Sequence, residues 1–361
     1  MYKEELVVLK DGLMEKLYTD GLKRVSQELK LHQYLNNSNI MIVGTYGMIG
    51  RSLVDLLMYN NYKNNLNCHI YAVGRREYVA NSFFEKYIMD GYVKFIKADV
   101  NYDTISVNEK MDYIVYAAGN THPIEYSREP VTTIETNVIG LNNVFRFMVN
   151  QASGRLIYLS SVEIYGENRG DIEKFDEEYC GYINCNTLRA GYVESKRTGE
   201  TLCQAYISKY SCDAVIVRIA RVFGPTICMD DSKALSQFIK AGLYNSEIVL
   251  KSKGNQEYSY IYVLDVVSGI LCALFNGKKG EVYNLAMDDT GLLLRDIAEL
   301  IGKITGKKVV QKFPEEEEAK GYSIATKALL NNIKIKELGW KQCFSFKEAL
   351  EMTIAIMRGK K

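Results

Sequence analysis

Apolar residues recur along this chain with two different periods, and each change of period marks an element. In residues 1–38, Leu6, Leu9, Leu13, Leu17 and Leu22 come at roughly helical spacing with charged residues between them. Such a stripe predicts helical pieces, either a surface helix that covers apolar area or an extension that docks or dimerises. At Asn39 the pattern shifts to a short continuous apolar run, Ile40–Val43, which predicts a strand buried on both faces. The run ends at Gly44, Gly47 and Gly50, and beyond them Leu53, Leu56, Leu57 and Met58 share one helical face. Further strands are predicted from His69 to the arginines at 75 and 76, and over Val93–Ala98, Tyr113–Ala117 and Leu156–Ser160. Helical spacing returns at about residues 136–150 and 188–210, over Gly291–Thr305, and over Ser345–Arg358, where a serine stands at the start. The acidic run Glu315–Glu318 predicts a solvated loop.

The first strand, its glycine turn and the helix behind it predict a pyrophosphate site. Glycines let the backbone turn sharply and approach the phosphates, while free N–H groups and the dipole of the helix N-terminus attract the anion. The spacing is Gly44-x-x-Gly47-x-x-Gly50, which makes Gly44, Tyr46, Gly47, Met48, Ile49 and Gly50 candidate cofactor contacts. The end of the second strand reads the ribose. An acid there would accept from a 2′-hydroxyl, but this chain has Arg75 and Arg76, and a guanidinium matches a 2′-phosphate. NADP(H) is therefore the favoured cofactor, with NAD(H) open and with solvated surface arginines as the alternative. Asp99, beside Val100, is placed to accept from an adenine amino group, and the small residues Ala117, Ala118 and Gly119 let backbone come close to the cofactor.

Composition narrows the class. The 361 residues are 47% apolar and 25% charged, as in a soluble globular enzyme with an ample core. A formal net charge of +1 gives nothing to attract nucleic acid. The 8 cysteines form no C-x-x-C pair, and His32, His69 and His122 are scattered, so no metal is expected. The absence of a signal segment and of an 18-residue apolar stretch predicts no membrane span. Reduced thiols in the cytoplasm are the simplest reading.

Tyr192 and Lys196 are four residues apart, so on a helix they share a face. An ammonium beside a phenol favours the phenolate. Such a tyrosine can take a proton from a carbinol, and return it, while a hydride moves to or from nicotinamide. Ser161, at the end of a strand, is placed to hold the same oxygen.

Gly44-x-x-Gly47-x-x-Gly50, Ser161 with Tyr165-Gly166, and Tyr192-x-x-x-Lys196 together resemble the extended short-chain dehydrogenase/reductase family. This is the NAD(P)-dependent epimerase/dehydratase group that modifies nucleotide-sugars. The likeness runs over about residues 38–357 and includes Arg218 to Pro225, Tyr262 to Asp265, Glu281 to Ala286 and Leu338 to Trp340. Glu178 to Arg197 and Pro225 to Asp231 look most like UDP-glucuronate decarboxylases and sugar dehydratases. The resemblance implies an α/β fold: a Rossmann-type, doubly wound parallel sheet with a smaller C-terminal α/β substrate domain. It implies a mainly dinucleotide-binding part at 39–225 and a mainly substrate-binding part at 226–361, with segments interleaved, behind the helical extension that the apolar spacing predicts at 1–38. Transient oxidation of a sugar carbon, a nucleotide-sugar or sugar-phosphate substrate and a homodimer are also implied. For the dimer, the expected helix faces are Val138, Leu141, Val144 and Phe145, and Leu202, Ala205 and Tyr206.

Departures from the family pattern define the open questions. Dehydratases of the dTDP-glucose type carry adjacent Asp and Glu after the catalytic hydroxyl; here the pair is Val162-Glu163, and valine cannot protonate a leaving hydroxyl. Glu163 remains a catalytic candidate, with Val162 beside it at the substrate. Family members carry an Arg near Tyr258 that grips the diphosphate, and none stands in Asn255–Val263. Arg221 replaces an Asn, and it either meets a phosphate or carboxylate or pairs with a nearby acid. Three functions follow: net NADP(H)-dependent reduction of a keto-sugar, which is the favoured reading; a closed redox cycle that epimerises, dehydrates or decarboxylates; and a catalytically quiet cofactor-binding regulator.

Overall fold

The computed structural model describes residues 12–76, 84–121, 126, 128–288, 291–313 and 326–359. The acidic run at 315–318, Glu77, His122, Leu6 and Leu9 lie outside the described residues. The strands are β1 (Asn39–Val43), β2 (His69–Gly74), β3 (Val93–Lys97), β4 (Tyr113–Tyr116), β5 (Arg155–Ser161), β6 (Asp213–Ile219) and β7 (Arg221–Phe223). They continue with β8 (Glu247–Leu250), β9 (Glu257–Tyr258), β10 (Tyr260–Tyr262), β11 (Val282–Leu285), β12 (Lys308–Gln311) and β13 (Lys327–Ala328).

Seven strands, all parallel, form one sheet in the order β11-β6-β5-β4-β1-β2-β3. Parallel strands need covered faces, which explains the unbroken apolar runs: Ile40, Met41 and Ile42 are fully buried. The order reverses between β1 and β4, the place where open α/β sheets bind ligands beyond their carboxyl ends. Register gathers the predicted cofactor residues there. The Gly44 amide donates to Val73, the Ala117 amide to Val43, and the Ala98 amide to Gly74, so the ends of β1 to β4 meet at one edge.

The described part of the N-terminal stretch covers this chain's own helices. Helix Gly12–Glu28 packs on Met48–Asn64, Val263–Asn276 and Phe346–Arg358. Leu22 and Val25 are buried, and the Tyr18 hydroxyl hydrogen-bonds Asp55 at 3.1 Å. Beyond residue 225 the chain returns β11 to the large sheet and forms the parallel pairs β7–β10, β8–β12 and β9–β13. The last helix is capped as the sequence predicts: the Ser345 hydroxyl accepts from the Glu348 amide at 3.3 Å.

The helix faces expected at a dimer contact are only partly free to make one. Pro130–Glu135, a π turn at Thr136–Gly140, and Leu141–Asn150 run on continuously, with Leu141, Val144 and Phe145 fully buried. Phe145 stacks on Tyr206 of helix Ala190–Tyr210 at 4.5 Å. Leu141, Val144, Phe145 and Tyr206 are thus buried within the chain, whereas Val138 and Leu202 are half-buried and Ala205 is exposed; further exposed apolar residues nearby are Val131, Ile134, Ile139 and Leu188. A helix pattern gives an apolar arc but not which part of it the sheet takes.

Candidate active site

The cofactor edge is built by close backbone approach. Gly44 has φ +95°, and a Cβ there would lie 2.8 Å from the Ala117–Ala118 peptide. A Cβ at Gly50 would come 2.4 Å from the Gly44 carbonyl, which fixes helix against turn. Gly47 caps helix Met48–Asn64 without any side-chain bond, and the nearest atom to a Cβ there is 3.5 Å away, so no side chain of the cap occupies this helix N-terminus. The Thr45 hydroxyl is buried with no partner among the described residues. This cradle fits a dinucleotide. The Tyr46 ring lies edge-on to Phe84 and Phe95, 3.1 Å from where a Cβ on Gly74 would be. Met48 and Ile49 are half-buried, and Arg75 and Arg76 are exposed just past Gly74. One Asp99 oxygen accepts from the Asn101 amide at 3.0 Å. Val100 packs its side chain into the core, and its carbonyl accepts from the Asn143 side-chain amide at 2.9 Å.

Ser161, the last residue of β5, caps the 3-10 turn Val162–Tyr165 by accepting from the Glu163 amide at 3.2 Å. Tyr192 and Lys196 occupy successive turns of helix Ala190–Tyr210, and both are buried. Their shared face does not lower the phenol as the spacing predicts. Burial holds the Tyr192 phenol well above its ordinary range; the Ser161 hydrogen bond pulls it down, while Glu163 and Tyr126 push it up. Lys196 instead donates to the Leu159 carbonyl at 2.8 Å, and its ammonium lies 4.9 Å from the Tyr158 ring centroid. A desolvated ammonium must find an acceptor, and burial lowers Lys196 to about 8 against the opposing pull of Glu200.

Substrate-side residues converge from distant segments. Glu163 pairs through one oxygen with Arg221 at 3.0 Å and through the other with Arg189 at 3.2 Å. Burial works to raise Glu163, but Arg221 and Arg189 overcome it and hold the carboxylate below its usual range. The Arg221 guanidinium lies 3.6 Å above the Tyr258 ring, and its Nη1 is buried with no hydrogen-bond partner among the described residues. Tyr126 stacks on Tyr192 at 5.1 Å. Val162, expected at the substrate, is a core residue at 4% exposure.

Three contributors have no counterpart in the sequence reading. Arg189 lies one helical turn before Tyr192, a spacing that could have revealed it. Tyr126 had no local signal. Asn137 sits in the π turn, donates to the Ser195 hydroxyl at 2.9 Å, and directs its carbonyl oxygen to within 3.2 Å of a Cβ position on Gly119. Below the site, Arg218 pairs with Glu200 at 2.7 Å and also bonds the Tyr165 hydroxyl and the Glu177 carbonyl. Among the described residues no His, Cys, Asp or Glu cluster is placed to hold a metal, and no helix is long and apolar enough to cross a membrane.

Residues 40–286 match the NAD dependent epimerase/dehydratase family. UDP-glucuronic acid decarboxylase 3 of Arabidopsis thaliana is 30% identical over 319 residues, 88% of this chain and 88% of that protein. In structure, the UDP-glucose 4-epimerase of Thermotoga maritima, solved with UDP-glucose, aligns with TM-score 0.75 and 24% identity over 89% of this chain and 98% of that one. A dTDP-glucose 4,6-dehydratase of Streptomyces venezuelae, solved with NAD, aligns with TM-score 0.75 and 22% identity over 89% and 97%.

Proposed function

Because the chain belongs to the NAD dependent epimerase/dehydratase family, an enzyme family acting on nucleotide-sugars, we propose that it decarboxylates an acidic nucleotide-sugar through a closed redox cycle at C4. The observation that carries this reading is Glu163, held anionic between two arginines beside Ser161 and Tyr192.

When bound, the nicotinamide accepts a hydride from C4 and later gives it back. Tyr192 takes the C4 hydroxyl proton, and Ser161 holds that oxygen. Its hydrogen bond is the influence on Tyr192 that favours the phenolate. A ketone at C4 makes a C5 carboxylate a β-keto acid, so carbon dioxide leaves and its electron pair passes into the C4 oxygen as an enolate. Ser161 and protonated Tyr192 stabilise that oxyanion. The proton at C5 comes from bulk solvent, relayed through a water oriented by Glu163 that is reprotonated from solvent, so the step consumes one solvent proton for each carbon dioxide released. Tyr192 then gives its proton back to the C4 oxygen, which would accompany return of the hydride and close the cycle. Dehydration is disfavoured because Val162 is apolar and buried, and no second acid stands beside Glu163.

Net reduction, the reading favoured from the arginines at 75 and 76, is set aside, because the activities of the relatives are those of the closed cycle. The arginines keep a narrower role, preference for a 2′-phosphorylated cofactor. On the same reading the enzyme is a cytoplasmic homodimer that joins through Ile134, Ile139 and Leu188, and a monomer mass by light scattering would refute the dimer. The activity test is mass spectrometry of UDP-glucuronate incubated with enzyme and a catalytic amount of oxidised cofactor. Loss of one carbon dioxide is expected. No product, or product only at the expense of stoichiometric NADPH, sinks the proposal.

A further inference from the structure

The Arg221 side chain holds one buried hydrogen-bond donor more than its surroundings accept. Its Nη2 donates to Glu163 at 3.0 Å and its plane lies on the Tyr258 ring, yet Nη1 is buried with no partner among the described residues. A buried unpaired donor on a charged group is costly unless something fills its place. Glu163, for its part, is doubly held, because Arg189 takes the second oxygen. Two guanidiniums around one carboxylate leave a net positive charge, and they do so beside the reacting centre. The turn that carries Glu163 begins at Ser161, and Tyr126, stacked on Tyr192, feels Arg189, Glu163 and Arg221 together.

We propose that Arg221 exchanges anions: it holds Glu163 when the site is empty, and binds an oxyanion of the substrate through Nη1 when the site is filled. The inference rests on the nucleotide-sugar reading and deepens it by naming the group that reads the substrate's charge. Its ligand is a phosphate or carboxylate oxygen, and two sources carry one, the diphosphate and a sugar carboxylate. Stacking on Tyr258 fixes the guanidinium plane, so the new partner is met without reorganising the side chain. Once shared, Arg221 neutralises Glu163 less, and Glu163 gains affinity for a proton at the moment substrate arrives. Charged and titratable groups facing Glu163 are Arg189, Arg221, Lys233, Tyr126 and Tyr192; of these only the load on Arg221 changes in the exchange.

Calorimetric titration of UDP, UDP-glucose and UDP-glucuronate into cofactor-loaded wild type, Arg221→Gln and Arg221→Lys decides it. Arg221→Gln is expected to weaken binding by about tenfold or more, the worth of one charge-assisted hydrogen bond, with Arg221→Lys in between. A loss already present with UDP identifies the diphosphate; a loss confined to UDP-glucuronate identifies the carboxylate. Repeating the wild-type titration at mildly acidic pH in buffers of different ionisation enthalpy should show proton uptake that Glu163→Gln abolishes. That comparison also decides the matter should Arg221→Gln lose its fold, seen as lost cofactor binding. Unchanged affinity for all three ligands in a cofactor-binding Arg221→Gln, or no Glu163-dependent proton uptake, overturns the exchange alone. Wild type that binds none of the three overturns the nucleotide-sugar reading and the exchange with it.

Discussion

Arg218 and Arg221 stand three positions apart on the successive strands β6 and β7, and each meets a glutamate, but their surroundings differ. Arg218 uses every nitrogen: Nε and Nη2 on Glu200, Nη1 on the Tyr165 hydroxyl and the Glu177 carbonyl. Glu200 in turn accepts from the Ser160 hydroxyl at 2.5 Å. Arg221 shares its glutamate with Arg189 and leaves Nη1 unmatched. A saturated buried pair joins elements, here β5, β6 and helix Ala190–Tyr210. An unsaturated one with excess positive charge has a donor to spare, which is what the proposed anion exchange uses. Burial and an ion pair alone do not separate scaffold from site; the count of unused donors does.

The contrast is strongest in stability. Arg218→Met leaves Glu200 buried without its paired guanidinium and should cost about 3–5 kcal/mol in denaturant unfolding. Arg221→Gln leaves Glu163 with Arg189, and about 1 kcal/mol or less is expected, the net worth of one hydrogen bond. Equal losses in the two variants would erase the distinction.

A second arginine pair extends the contrast to the surface. Arg75 and Arg76 are exposed at the end of β2, where a ribose should lie. If they read a 2′-phosphate, NADP(H) binds tighter than NAD(H) by about 1.5–3 kcal/mol, and Arg75→Ala with Arg76→Ala removes most of that gap while NAD(H) affinity stays. Equal affinities in the wild type would leave these side chains as solvated surface.

The smallest expected effect is a pH shift carried from the saturated pair into the site. Burial sets Lys196 at about 8, so activity that needs its ammonium falls as pH rises through about 8. Glu200 acts to raise Lys196, and its removal must therefore move the alkaline limb to lower pH. The limb of Glu200→Gln, measured well below its unfolding temperature, checks this; a limb unmoved or moved upward would show that Glu200 serves only Arg218.

The same division explains what was legible in the sequence. The cofactor edge is local chemistry. Gly44, Gly47 and Gly50 sit within one strand, turn and helix, and Gly44 and Gly50 each answer a close backbone approach, while a Cβ on Gly47 would meet nothing nearer than 3.5 Å. Tyr192 and Lys196 fall on one buried face as their spacing requires, but the direction of the Lys196 ammonium depends on the Leu159 carbonyl, a contact between residues 37 positions apart. The substrate side draws on Tyr126, Glu163, Arg189, Arg221 and Tyr258, which only strand order brings together. Arg221 could be read from sequence as either an anion binder or an acid's partner; the structure pairs it with Glu163 and leaves Nη1 without a partner among the described residues, surroundings that no spacing encodes. The faces at Leu141, Val144 and Phe145 were misplaced for one reason: an apolar residue looks alike whether it meets a second subunit or the chain's own sheet.

The closed redox cycle is the central claim, and the fate of the C4 hydrogen tests it most directly. UDP-glucuronate carrying deuterium at C4 is converted with a catalytic amount of oxidised cofactor, and the product is read by mass spectrometry and NMR. The account predicts a product one carbon dioxide lighter that keeps its deuterium at C4, with no net reduction of the cofactor. Deuterium accumulating on free cofactor, or lost from the product, would contradict it.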